Sequence, residues 1–239
     1  MSREITSKRK YELKKRAEEM ADTHLRITEA AIELHGTRGP SRTTMSAVAE
    51  RAGVERRTLY RHFPSEADLF AACSTHYFSA NPWPDLASWR AVRDPHQRLD
   101  HALDELYAYY ERTAPMYSNV LRDAELVDFA RNAVAPLHTY LEEVTEILSA
   151  GHSVRGRRRR LLVGALRHAI AFSTWQSLTA VGIARADAVT LMHIVVVAIV
   201  LGRGVRLWDG LEGLERDYQV EETSSPSGVT HVTFSRAAA

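Results

Sequence analysis

Between residues 43 and 63 the apolar positions follow a helical period that breaks once. Met45, Val48, Ala49 and Ala52 recur at i, i+3, i+4 and i+7, one stripe behind an N-cap at Thr43 or Thr44. Gly53 stands where a helix C-terminus calls for a left-handed residue. A second helix starts near Glu55, whose charge suits a positive N-terminal dipole, and its Leu59 and Phe63 face inward. Arg56, Arg57, Thr58, Tyr60, Arg61 and His62 are left outward. Pro64 stops this helix, and Ser65 caps another that begins at Glu66. An outward surface that is cationic, rich in donors and aromatic at one point suits base edges and phosphate oxygens, so the pair reads as a DNA-reading unit.

The run TTMSAVAERAGVERRTLYRHFPSEADLF, residues 43–70, resembles in register the helix-turn-helix of the tetracycline-repressor (TetR) family. Its specific part is GV, a few polar residues, TLY, one residue, HF and PS; the plainer alternative is a helix pair that only packs a core. The resemblance implies that Thr44 and Ser46 meet the DNA backbone. It implies that Arg56, Arg57 and Tyr60 face bases in the major groove, while Thr58, Tyr60 and His62 hold phosphates. Two departures matter. Many members have a small residue or Pro where this chain has Arg57, and many have Lys where it has Glu66. An added Arg can pair with a guanine and a lost Lys removes a phosphate contact, so the operator should differ from that of better-known members.

The rest of the chain predicts an all-α fold: an N-terminal three-helix DNA-binding unit and a C-terminal helical ligand-binding and dimerisation domain. Residues 1–20 form a charged extension, read equally well as a solvated tail or helix and as a basic arm of Lys8, Arg9, Lys10, Lys14, Lys15 and Arg16. Residues 21–70 are the DNA-binding domain, its first helix spanning Ala21 to His35 through Leu25, Thr28, Ala31 and Ile32. From Ser65 a connecting helix runs to about Phe78, before the Pro-rich break NPWPD at residues 81–85. Residues 71–209 are the helical effector-binding and dimerisation domain. Helices are expected over Pro95–Arg112, Pro115–Arg122 and Val127–Leu148, with a bend at Pro136. One stretch from Leu161 to Ile183 and one from Asp187 to Gly202 complete it. The last is apolar nearly all round, too short for a membrane span, and must be covered. The resemblance implies that these two C-terminal helices pair with their copies in a homodimer, which suits a palindromic operator on double-stranded DNA. Residues 210–239 alternate around SSPSG, a signal for a hairpin that is otherwise a disordered tail.

Composition adds little. Net charge is +1, with fourteen Lys and Arg against eleven Asp and Glu in residues 1–70. The single cysteine, Cys73, excludes an internal disulfide and reads as a small core residue. No N-terminal segment resembles a signal peptide, which predicts a cytoplasmic protein without a membrane partner. His101 with Asp104 and Glu105 reads as surface charge rather than metal ligands, and no catalytic motif occurs, so neither an enzyme nor a cofactor is expected. RGRRRR, residues 155–160, reads as a solvated loop, because four positive charges opening a helix oppose its dipole. Trp89, Tyr107, Tyr110, Tyr117, Phe129, Phe172 and Trp175 could line an effector pocket with His168 or Gln176 as polar anchor; the same spacing serves a plain core. The family supplies the expectation that a small effector, here of unknown identity, binds among these helices. Together the readings predict a homodimeric, ligand-responsive repressor. The alternatives are a constitutive or architectural DNA-binding protein and, further off, a helical-bundle enzyme.

Overall fold

The computed structural model of the protein describes residues 2–201, 218–224 and 230–236. The all-α class holds. The helices are α1 (Ser2–Arg38), α2 (Met45–Ala52), α3 (Arg56–His62), α4 (Glu66–Ala80), α5 (Leu86–Ala91), α6 (Pro95–Asp123), α7 (Asp128–Ser149), α8 (Gly156–Ala169), α9 (Phe172–Ala180) and α10 (Arg185–Leu201). Strands β1 (Tyr218–Ser224) and β2 (Thr230–Arg236) pair antiparallel with Tyr218 opposite Arg236, which realises the hairpin alternative for those parts of the tail. Residues 202–217, 225–229 and 237–239 of the expected tail and final helix lie outside the described residues.

Two cores organise the helices. Ile27, Ala31, Leu34, Met45, Val48, Leu59, Phe63, Leu69 and Cys73 bury together where α1 to α4 meet. The larger core gathers residues of α5 to α10 around the α6 stripe Leu99, Leu103, Leu106, Tyr107 and Tyr110. Burial of each such large side chain stabilises by about 1.5–3 kcal/mol, enough to overrule several local signals that point the other way.

The first overruled signal is Pro115. Instead of ending one helix and starting another, α6 runs through it to Asp123. The proline is exposed, so the carbonyl left without its donor faces water, and the missing bond costs less than the stripe on the opposite face supplies. The second is the arginine run. α8 opens at Gly156 and takes Arg157 to Arg160 into its first turn, against the expected loop. An exposed charge at the wrong helix end costs only about 0.3–1 kcal/mol, whereas Leu162 and Leu166 are buried one and two turns on. The third difference is a break where one long helix was expected. α8 stops at Ala169, and the Tyr107 and Tyr110 hydroxyls donate to the carbonyls of Ala169 and Ile170, both at 2.7 Å. Buried tyrosines of α6 thereby satisfy the carbonyls that a continuing helix would have used. In the N-terminal extension, α1 starts at Ser2 rather than Ala21, helped by the i,i+4 pairs Lys14–Glu18 and Lys15–Glu19.

Polar ties join the two cores. Asn119 Nδ2 donates to the carbonyls of His35 (3.2 Å) and Gly36 (2.7 Å), and an Arg122 Nη donates to that of Arg38 (3.1 Å). Asp123, with no exposed surface, accepts from the Ser41 backbone N–H at 2.9 Å and from Arg122 Nε at 2.8 Å. Burial would raise the Asp123 pKa, but these two donors outweigh it and hold the carboxyl below its ordinary value. The approach is so close that Gly39, at φ 95°, has no room for a side chain: a Cβ there would overlap the Arg122 guanidinium and the Asp123 carboxylate. Gly39→Ala should therefore destabilise the protein by about 2 kcal/mol or more, seen as a thermal midpoint several degrees lower. A midpoint within a degree of the parent would show that the loop shifts freely.

Candidate nucleic-acid interface and ligand cavity

Local rules build the reader. Thr44 is the N-cap of α2, its hydroxyl accepting from the Ala47 N–H at 3.2 Å. Gly53 takes the left-handed conformation at φ 64°, and the Val54 N–H reaches back to the Ala49 carbonyl at 3.0 Å, closing the helix end. The turn sends α3 across α2, with Leu59 and Phe63 buried as its anchors. Ser65 and Asp68 then form a reciprocal capping box that starts α4. Arg51 pairs with Glu33 across α1 and α2, at 3.0 Å from its Nε.

Thr44, Ser46, Arg56, Arg57, Tyr60 and Arg61 are exposed, while Thr58 and His62 are half-buried. The Arg56 guanidinium lies 5.6 Å from the Tyr60 ring centroid and within 3.5 Å of its hydroxyl, so the two form one unit on the α3 face. Burial, then the neighbouring Arg61 and His24 charges, lower the His62 pKa, favouring a neutral imidazole that donates through one N–H. The extended part of α1 runs past the end of α3, where Arg16, Glu19 and Met20 share a shallow groove with Arg61 and His62.

The matches with known proteins concentrate on this unit. Residues 27–73 match the family model of the bacterial regulatory proteins, tetR family. The match covers the helix-turn-helix unit, which is similar to that of the TetR family. The HTH-type transcriptional regulator TtgR of Pseudomonas putida is 44% identical over 55 residues, which are 23% of this chain and 26% of that protein. The chain thus spans about a quarter of that relative's length. Among solved structures, a TetR-like transcriptional regulator from Rhodococcus sp. RHA1 superposes with a TM-score of 0.55 at 20% identity, covering 80% of this chain and 96% of that one. AibR, solved in complex with isovaleryl coenzyme A and operator DNA, gives a TM-score of 0.55 at 16% identity, covering 72% and 96%. These two likenesses are of fold. Among the described residues no helix is long and apolar enough to cross a membrane.

Beyond the helix-turn-helix unit, the expected aromatic box does not form one pocket. Trp89, Tyr107 and Tyr110 have no exposed surface, and Trp175 and Phe172 close over Tyr110 at ring distances of 6.0 and 5.3 Å. The Trp89 indole donates to Glu105 at 2.6 Å, and the Trp175 indole N–H meets no acceptor among the described residues. Phe129 packs at a tilt against Phe70 of α4, ring centroids 5.0 Å apart. His168 is exposed, beside Thr174, and Gln176 is exposed and donates to Ser118 at 3.1 Å. Tyr110, Phe172 and Gln176 share an open hollow of about 380 Å³ with Arg122 and His138. His101 contacts Glu105 at 3.2 Å on the surface, and no group of three or more metal-ligating side chains occurs among the described residues.

A narrower cavity of about 50 Å³ opens elsewhere, between α1, α4, α6 and α7. Of the nine aromatic and polar candidates only Tyr117 lines it; Ile32, His35, Phe70, Cys73, Tyr77, Phe78, Met116, Val120 and Val134 are among the rest of its wall. The sequence carries a weak signal for it in the run Phe70, Cys73, Tyr77 and Phe78, which continues an apolar face of α4 past the reader. The Asn119, Arg122 and Asp123 ties beside it had no signal at all, since an Asn and a charged pair at a helix end look like solvated surface.

Burial lowers the His35 pKa from 6.5 to about 4, with the nearby Asp123 charge opposing part of the shift. The unfolded chain therefore binds a proton near pH 6.5 that the folded protein refuses until about pH 4. The stability of neutral His35 is complete above pH 6.5 and is lost as pH falls towards 4, on the order of 3 kcal/mol across that window. Denaturant melts of the parent and His35→Leu at pH 7, 5.5 and 4.5 should show a flatter acid decline in the variant. Parallel declines would mean that the imidazole protonates in place.

Proposed function

We propose that the protein is a homodimeric, ligand-responsive transcriptional regulator, a repressor that holds a palindromic operator and is released by a small-molecule effector. The observation that carries this is the reader: an N-capped α2, a left-handed glycine turn and an α3 whose outward face is Arg56, Arg57, Thr58, Tyr60, Arg61 and His62. Arg56, Arg57 and Tyr60 contact bases, Thr44, Ser46, Thr58 and His62 contact phosphates, and Arg61 adds charge at the groove edge. The domain division follows, with reader residues 21–70 on an effector and dimerisation body, 71–209.

Dimerisation is supported by the α8 and α10 face. Leu161, Leu191 and Ile194 are about two-fifths exposed, and beside them Gly164 leaves open space where a side chain would stand. These positions recur at helical spacing on two packed helices, a surface that a second copy would cover. The AibR likeness supports a ligand and an operator acting on one such fold, in the cell interior where the DNA is. Operator and effector then oppose one another because each prefers a different separation of the two readers, and neither shifts the equilibrium by more than its difference in affinity.

Selection of bound sequences from a random duplex pool, repeated at two salt concentrations, tests the reading. A palindromic consensus with half-sites about one helical turn, ~10 bp, or a multiple apart is expected. Enrichment of no sequence, with binding that only tracks salt, would leave a non-specific DNA-binding protein. On the selected site Arg57→Ala should cost about 1–3 kcal/mol and relax preference at particular base pairs; uniform weakening on every sequence would make Arg57 a phosphate contact. Ile194→Glu should leave a folded monomer in sedimentation that binds half-sites only, whereas an unchanged dimer would place the subunit contact elsewhere.

A further inference from the structure

Resting on the regulator reading above, we propose that the cavity between α1, α4, α6 and α7 is the effector site and that it takes an uncharged, mainly apolar small molecule, which spreads the seam as it binds. The walls are apolar: Ile32 from α1, Phe70 and Phe78 from α4, Met116 and Val120 from α6, Val134 from α7. Among the described residues no Asp, Glu, Lys or Arg lines it. Its titratable groups are neutral at pH 7, because burial lowers His35 to about 4, pushes Cys73 and Tyr77 up to about 12, and raises Tyr117 further. An ionised ligand, a carboxylate or a coenzyme A thioester for instance, would lose its water and meet no counter-charge. Much of the polar lining is already engaged. Ser74 Oγ donates to the Phe70 carbonyl at 2.8 Å, and the Tyr117 hydroxyl accepts from the Trp83 indole at 2.8 Å and donates to Tyr109 at 3.2 Å. His35 and Tyr77 remain to orient a ligand with a single polar group.

The size of the cavity sets the mechanism. At about 50 Å³ it is well below the ~150 Å³ cavity that accepts benzene in an engineered lysozyme. A ligand larger than a few carbons must part the walls. One wall comes from α1 and α4, on which the reader helices α2 and α3 pack, and the other from α6 and α7 of the larger core. The ligand therefore favours the state in which reader and body have moved apart, which is the differential affinity that release from DNA requires.

The test pairs two dyes of similar size, neutral N-phenyl-1-naphthylamine and anionic 1-anilinonaphthalene-8-sulfonate, titrated into the full-length protein with calorimetric and fluorescence readout. Saturable binding of the neutral dye, with the anionic one weaker by about tenfold or more, is expected. Val134→Phe and, independently, Ser74→Leu fill opposite walls; either, if its helical circular dichroism matches the parent's, should weaken the neutral dye by about tenfold. Should neither fold, the Met116 methyl, assigned in methyl-labelled protein through Met116→Leu, reports directly and must shift when the dye saturates. Equal affinity for both dyes, or a Met116 methyl that does not move, overturns the assignment and points to the open hollow beside Arg122. Anisotropy on the selected operator separates the two readings. Dye bound in the seam should weaken the operator complex about fivefold or more. An unchanged operator affinity would overturn the effector role while the cavity and the reader stand, and operator binding with no dye uptake would overturn the cavity while the reader stands.

Discussion

A carboxylate with no exposed surface sits at the C-terminal end of α6, where the helix dipole is already negative. Asp123 is tolerable there only because the Ser41 N–H and the Arg122 guanidinium supply what water would have supplied. Its demands propagate. Ser41 must present its N–H inward, so the chain enters a short 3-10 turn at Pro40–Arg42. Gly39 must adopt a left-handed conformation without a side chain, and Thr43 closes the loop by donating to the Gly39 carbonyl at 2.8 Å. The next residue is Thr44, the cap of the first reader helix. The start of α2 is thus positioned by a charge on the body, and α3 follows through the Gly53 turn.

This arrangement makes α6 a shared wall. One side of it carries the tyrosines that stop α8 and hold the large core, through Tyr107 and Tyr110 bonds to successive carbonyls. Its far end holds the reader through Asn119, Arg122 and Asp123, and the seam cavity lies between those two sets of contacts, beside Met116 and Val120. A displacement at the seam is resisted on the tyrosine side by buried hydrogen bonds, and these are costly to break when no water can replace them. It therefore passes to the reader side, whose ties lie nearer solvent.

How much of this was legible depends on whether a local rule had a global competitor. The reader was legible almost to the residue, because the Thr44 cap, the Gly53 turn, the buried Leu59 and Phe63 and the Ser65 cap all favour the same structure. In the body, local and global terms disagreed. Pro115 and the arginines 157–160 are correctly read as poor helix residues, each costing up to a few kcal/mol, and both are overruled by apolar stripes that bury several times as much. The break after Ala169 was illegible for a different reason: its cause lies some sixty residues earlier, in two tyrosine hydroxyls. Most of the aromatic candidates are buried, with Phe129 half-buried. Periodicity gives the face of a helix but not what stands opposite, so a closed box and an open pocket look alike from the chain alone.

What separates the box from the seam is the kind of interaction each would have to lose. In the box, Trp89 is bonded to Glu105, Tyr107 and Tyr110 are bonded to the α8 terminus, and rings pack at 5.3 to 6.4 Å around them. Opening it would strand polar groups in an apolar interior, at about 1–3 kcal/mol for each. Across the seam, Ile32, Phe70, Met116 and Val134 meet mainly through dispersion, which falls off gradually as walls part and which an apolar guest restores contact by contact. A guest therefore enters most cheaply where the protein has few bonds to break, and among the described residues that place is the joint between the helix-turn-helix unit and the larger helical core.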